Sequence, residues 1–318
     1  KNDSKLANIR GNFGFQPSAN VRMDFNSSYA SRETRYVESG DNGYGFMLNV
    51  LRGTQDYTNA AVPQGFEGDP DILIWDIDNE SSSEHFIFGA ALNHSIPSLN
   101  IDTRISYGLD YTDILNRQTI PFDWPLLPRG SRNLNRYNHR TQSFEMSSTM
   151  RSKFGTSISS KLSVGGQIFN DRNHTLFAFA EDFGGPGPKT ISSGGTKQSD
   201  ESYLNIVTAG IYAEEVLGFN ERAYLTLGVR VDGHSAFGGD YGLETYPKVA
   251  GSYIISDHDF WPAFWEVMKL RMAYGQSGKA PNAFASVRTW NPVTGNGGQS
   301  GVTPANLGNA DLGPERST

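Results

Sequence analysis

The sequence predicts an all-β chain, an antiparallel transmembrane β-barrel wall, and three observations carry that reading. Apolar residues recur with period two rather than 3.6. The alternating segments are joined by short and long connections in strict turn. The face opposite the apolar one is charged in segment after segment.

Ten alternating segments fall at about 8–16, 20–29, 85–94, 99–109, 142–152, 157–169, 203–215, 222–232, 245–256 and 267–276. In NVRMDFNSSY, Val21, Met23, Phe25 and Tyr29 share one face, and Arg22, Asp24, Asn26 and Ser28 the other. In LNIDTRISYG, Leu99, Ile101, Ile105 and Tyr107 oppose Asn100, Asp102, Arg104 and Ser106. In AYLTLGVRVDG, Leu225, Leu227, Val229 and Val231 oppose Tyr224, Thr226, Gly228, Arg230 and Asp232. The last segment, KLRMAYG, sets Leu270, Met272 and Tyr274 against Lys269 and Arg271. WPAFWEVM, residues 261–268, is the one place that reads as a short helical turn.

The connections after odd-numbered segments are short: QPSAN, SIPSLN, KFGTS, LGFNER and the stretch around DHDFWPAFWE. Those after even-numbered segments are mostly long: about fifty-five residues from Ala30 to Glu84, about thirty from Tyr111 to Thr141, and about thirty from Asn170 to Ser202. Charged pairs opposite an apolar face fit either one solvated face of a soluble sheet or a wet barrel interior. The asymmetry of the connections favours the barrel, with tight turns at the periplasmic end and loops outside the cell. The apolar face then meets lipid, and Arg22, Asp24, Asp102, Arg104, Arg230, Asp232, Lys269 and Arg271 become candidates for facing the lumen. Tyr29, Tyr107, Tyr253 and Tyr274 near strand ends, with Trp261 and Trp265 in a turn, suit an aromatic girdle.

Composition narrows the function. Of 318 residues 37% are hydrophobic and none is Cys, which supplies little for a conventional core and removes disulfides, thiol nucleophiles and thiolate metal sites. A net charge of -7 argues against a nucleic-acid surface. No window approaches ~18 consecutive apolar residues, so a spanning helix is not expected. KNDSKLANIR has no apolar stretch of the kind a signal peptide carries.

Chemical motifs are few. GQSGKA misses the phosphate-loop pattern, because Ala273 stands where the first Gly is needed and Ala280 follows the Lys. The histidines, His85, His94, His139, His174, His234 and His258, lack metal-ligand spacing. No G-x-S-x-G elbow or defensible carboxylate pair is present, so no catalytic residue, metal or cofactor is expected, and an enzyme is the weakest reading. GDPDILIWDIDNE gathers Asp69, Asp71, Asp76, Asp78 and Glu80 on one loop; a solvated acidic loop and a Ca²⁺ site both remain open, the first favoured because EF-hand spacing is missing. Trp75, Trp124 and Trp290 are candidates for stacking on a substrate, against the plainer reading that large loops fold on their own aromatics.

The run YLTLGVRVDGHSAFGGDYGLETYPKVAGSYIIS, then MKLRMAYGQSGKAP, then NLGNADLGPERST, resembles TonB-dependent outer-membrane receptors of the SusC/RagA type. The matching positions are Arg230, Asp232, Gly233, Ser235, Phe237, Gly238, Tyr246 and Pro247, with Lys269–Gly278 and Gly308–Thr318. His234, Tyr253, Ala310 and Gly313 depart from the pattern. The specific match covers about the last hundred residues. The resemblance implies active import of a glycan or peptide, with a plug domain that engages TonB-ExbB-ExbD and a SusD-like surface lipoprotein as lid. It also implies that residues 1–318 are part of a single barrel domain, about ten strands of roughly twenty-two, without the plug and the remaining strands. A structural or adhesive barrel without transport, and a soluble β-rich binding domain, are the other readings.

Overall fold

The computed structural model describes residues 2–40, 45–53, 75–124, 127–187, 189–236, 242–262, 264 and 266–318. Ten strands form one antiparallel sheet in chain order: β1 (Asp3–Ser18), β2 (Val21–Arg35), β3 (Asp78–Ile96), β4 (Ile101–Ile120), β5 (Ser131–Phe154), β6 (Ile158–Phe183), β7 (Gly194–Phe219), β8 (Ala223–His234), β9 (Glu244–Ile254) and β10 (Lys269–Gly275). Each strand pairs only with its neighbours in sequence, and β1 and β10 are the two edges. From β2 to β10 the register is unbroken; one irregularity lies between Phe15 and Ser18 in β1.

The short turns are tight because residues there accept left-handed backbone: Asn100 (φ 51°), Gly155 (φ 65°) and Asn220 (φ 50°). The connections at the other end are shorter than the sequence suggests, at 36–77, 121–130, 184–193 and 235–243. The missing length is strand. β5 runs 24 residues and β6 and β7 run 26 each, far beyond the ~9–11 that cross a bilayer. The outer stretches SRNLNRYNHR of β5, DRNHT of β6 and GGTKQSDESY of β7 are largely polar on both faces and therefore do not alternate. Tyr29 and Tyr107 accordingly sit mid-strand rather than at strand ends, Tyr29 where the apolar face of β2 gives out and Tyr107 with Leu109 and Tyr111 still beyond it.

Other elements also differ from expectation. A short helix, α1 (Phe46–Arg52), lies in the first long connection. No helical turn forms among the described residues of 261–268, where Phe264 and Val267 stay exposed and offer no packed face to hold a helix. After β10 the chain makes β11 (Ser277–Lys279), β12 (Thr289–Thr294), β13 (Ser300–Asn306) and β14 (Glu315–Ser317), paired β11 with β14 and β12 with β13. No helix among the described residues is long and apolar enough to cross a membrane.

The sheet buries neither face. Met23, Leu92, Ile105, Met146, Ile211 and Val231 fall in one hydrogen-bonded row, and Leu227, Leu270 and Met272 are 46%, 54% and 81% exposed. The dry interior is small and sits at the loop end, where Ile77, Ile120 and Trp124 cluster with Leu127 against them. An apolar surface this extensive needs hydrocarbon, not water, around it.

Candidate functional site: the polar face of the sheet

Because strand side chains alternate, an unbroken register brings residues from distant segments into rows on one face. One such row reads Arg22, Asn93, Arg104, Ser147, Gly165, Tyr212, Arg230 and Tyr246. The next reads Asp24, Ala91, Ser106, Glu145, Gln167, Gly210, Asp232 and Glu244. A line of arginines thus lies beside a line of carboxylates.

The contacts follow these rows. Arg22 pairs with Asp24 at 2.9 Å, Asn93 Nδ2 donates to Asp24 at 3.4 Å, and Arg104 Nη1 donates to Asn93 Oδ1 at 2.9 Å. This network spans three strands. Arg230 Nε donates to Asp232 at 2.7 Å, and Gln167, with its amide oxygen turned inward, accepts from Arg230 Nη1 at 3.2 Å. Gly210 is what lets the second pair lie flat, since a Cβ there would stand 1.8 Å from Asp232 Oδ1. Asp102 accepts from Ser95 Oγ at 2.6 Å and pairs with Arg151. Lys248 pairs with Glu214 across two strands.

Arg22, Asp24, Asp102, Arg104, Arg230, Asp232, Lys269 and Arg271 therefore share one face. They are not one cluster. Lys269 and Arg271 sit toward the short-turn end, about 20 Å of strand from the Arg230 row. There the Lys269 ammonium stands 5.3 Å from the Tyr224 ring centre. Sequence reading missed Asn93, Arg151, Gln167, Tyr212, Glu214 and Lys248. Each occupies the charged-face parity of its strand, so parity alone could have found them.

Between β7 and β9 the polar face opens into a hollow of about 310 Å³ lined by Tyr212, Glu214, Arg230, Tyr246, Lys248 and Gln276. It presents cations, a carboxylate and two phenols together, which is a set for hydrogen-bonding a polar, uncharged or zwitterionic molecule.

The loop aromatics divide. Trp75 and Trp290 are exposed, Trp290 on the β12–β13 hairpin. Trp124 is only 2% exposed, packed with Ile77 and Ile120 and bridged to Leu127, so its ring anchors the 121–130 connection and is not open to a substrate. In the first long connection, burial and then the neighbouring Glu38 raise the Tyr36 phenol above its ordinary value. Asp69 and Asp71 of the acidic loop, Trp265, Phe237 and Gly238 lie outside the described residues. Among the described residues no three of His, Asp and Glu converge as metal ligands. His85 instead contacts Asp110 at 2.8 Å, and His174 contacts Glu201 at 2.6 Å.

An all-β sheet with one exposed apolar face and one ion-paired face is the wall of a membrane barrel. The chain belongs to the TonB dependent receptor-like, beta-barrel family, whose model matches residues 4–318. It is 29% identical over 112 residues to TonB-dependent receptor P39 of Formosa agariphila, covering 34% of this chain and 11% of that protein. Its fold is similar to the RagAB peptide transporter, with TM-score 0.83, 16% identity, and 99% of this chain and 37% of that one covered. It is also similar to the siderophore receptor PirA from Acinetobacter baumannii, with TM-score 0.51, 16% identity, and 99% and 40% covered. The chain thus spans little more than a third of the length of these solved relatives. As a member of this family it lies in the bacterial outer membrane, in a class of receptors and transporters rather than enzymes.

Proposed function

We propose that the chain forms part of the barrel wall and extracellular loops of a TonB-dependent importer, with the polar face lining the lumen. The observation that carries this reading is the two-row network of arginines and carboxylates on the face opposite the exposed apolar one. Charges held in pairs along a strand and bridged between strands belong beside water, and a hydrated corridor inside a barrel supplies it. The hollow at Tyr212, Arg230, Tyr246 and Lys248 suits the amides of a peptide or the hydroxyls of a glycan, and cargo of either class is the proposal. In this mechanism a plug domain fills the lumen and TonB-ExbB-ExbD pulls on it, while a SusD-like lipoprotein covers the loops. Further strands pair the edges of β1 and β10, because unpaired edges are not tolerated in hydrocarbon.

Uptake of labelled peptides and oligosaccharides by cells expressing the full-length protein tests this. Uptake is expected to stop when TonB is deleted, and to fall with Arg230→Ala/Lys248→Ala at unchanged surface abundance. Uptake indifferent to TonB would instead support a structural or adhesive barrel.

A further inference from the structure

The outward face carries a second feature that transport does not use. On β5 and β6, Arg140 and Arg172 stand directly opposite each other. Like charges so placed repel. Neither makes an ion pair among the described residues, and the nearby carboxylates on this face are already engaged, Asp113 one pair along by Arg136 at 2.6 Å and Glu201 two pairs along by His174. Arg172 rests 5.6 Å from the Tyr203 ring centre, its Nε sealed from solvent without a hydrogen-bond acceptor. Asn170, next along the same face of β6, has a sealed amide oxygen without a donor.

Below the arginines on the same strands the apolar face dips, from Phe144 and Ile168 four residues away, roughly 13 Å, to Gly166 six residues away, roughly 20 Å. Gly166 leaves the floor empty between Phe144, Met146, Ile168, Ile211 and Val231, in a concavity of about 730 Å³. The short turns mark the periplasmic end, so the arginines lie at the extracellular rim of the apolar band, over the outer leaflet.

We infer that β5–β7 form a binding site for a phosphorylated acyl lipid of the outer leaflet, of the lipid A class. Its phosphate bridges Arg140 and Arg172, and one acyl chain fills the dent over Gly166. Bound phosphate converts a repulsive guanidinium pair into two charge-assisted hydrogen-bonded contacts. The dent accepts hydrocarbon because its walls are apolar and already lie in the membrane.

Native mass spectrometry of the full-length protein in mild detergent, delipidated and then titrated with bisphosphorylated lipid A, reads the site directly. Discrete one-to-one binding is expected. Arg140→Ala/Arg172→Ala should weaken it on the order of tenfold or more, Gly166→Leu should weaken it as well, and Lys153→Ala on the opposite face should not. Dephosphorylated lipid A, tested on the unaltered protein, should bind as poorly as the double variant does with the phosphorylated form. Equal binding of the two lipids overturns the inference, as does equal binding by all variants. A second copy of the chain covering the dent, seen as a lipid-free dimer, overturns it too.

Discussion

The inner and outer halves of the long strands β5–β7 share one hydrogen-bond ladder and almost nothing else. In the inner half, Phe144, Met146, Ile168 and Ile211 point one way and Glu145, Gln167 and Tyr212 the other. In the outer half, Arg136, His174 and Glu201 occupy the face that was apolar, and Asn135, Thr175 and Asp200 the face that was already polar. Among the described residues the inner half has no core, while the one dry cluster, Ile77, Ile120 and Trp124, lies at the loop end. Backbone pairing, with cross-strand polar pairs such as Arg136–Asp113 and His174–Glu201, sustains strand length in the outer half without an apolar core. Alternation appears only where the two faces meet different solvents.

Breaking the loop-end core should cost the most. Trp124→Ala is expected to lose about 3–5 kcal/mol of local stability, seen as faster hydrogen exchange in 121–130 while the inner half stays protected. An intact 121–130 exchange pattern would deny Trp124 that anchoring part. Next is a charge placed on each half. Ile211→Arg should cost about 2–4 kcal/mol in vesicle unfolding, and Ser199→Arg on the same face of β7 close to nothing, about half a kcal/mol at most. Equal costs would mean that the apolar band is misplaced. A smaller effect is expected on the polar face, where Gly210→Ala forces apart Arg230 and Asp232 and should cost about 1–3 kcal/mol. Adding Asp232→Ala, which clears the space, should recover part of that loss. The smallest is Glu201→Gln in the outer half, about 0–1 kcal/mol, because the pair with His174 is largely in water.

How much could be read in advance follows the same division. The ten strands, their neighbours and the charged face were legible because Val21 to Tyr29 or Leu225 to Val231 alternate between two solvents. The outer halves were not, since stretches such as NDRNHT and KQSDES look like loop when no apolar face marks them. α1 hides for a related reason: its seven residues carry no N-cap side-chain bond and bury only Asn49. Of the site, the residues of each charged pair were visible singly. Their grouping depends on register between segments as far apart as Arg22 and Arg104, which no local pattern encodes. Trp124 looks like any loop aromatic until Ile77 and Ile120 close over it.

The uninterrupted pairing from β2 through β10 also restricts how such a wall can change over generations. Adding or losing a single amino acid within β4 would turn every later side chain of that strand inside out, sending Arg104 toward the acyl chains and Ile105 toward the water. Length can therefore drift in the strands only by even steps, or at the tips where the parity resets. Lineages of this wall should differ freely in their extracellular ends and keep count, two by two, everywhere below.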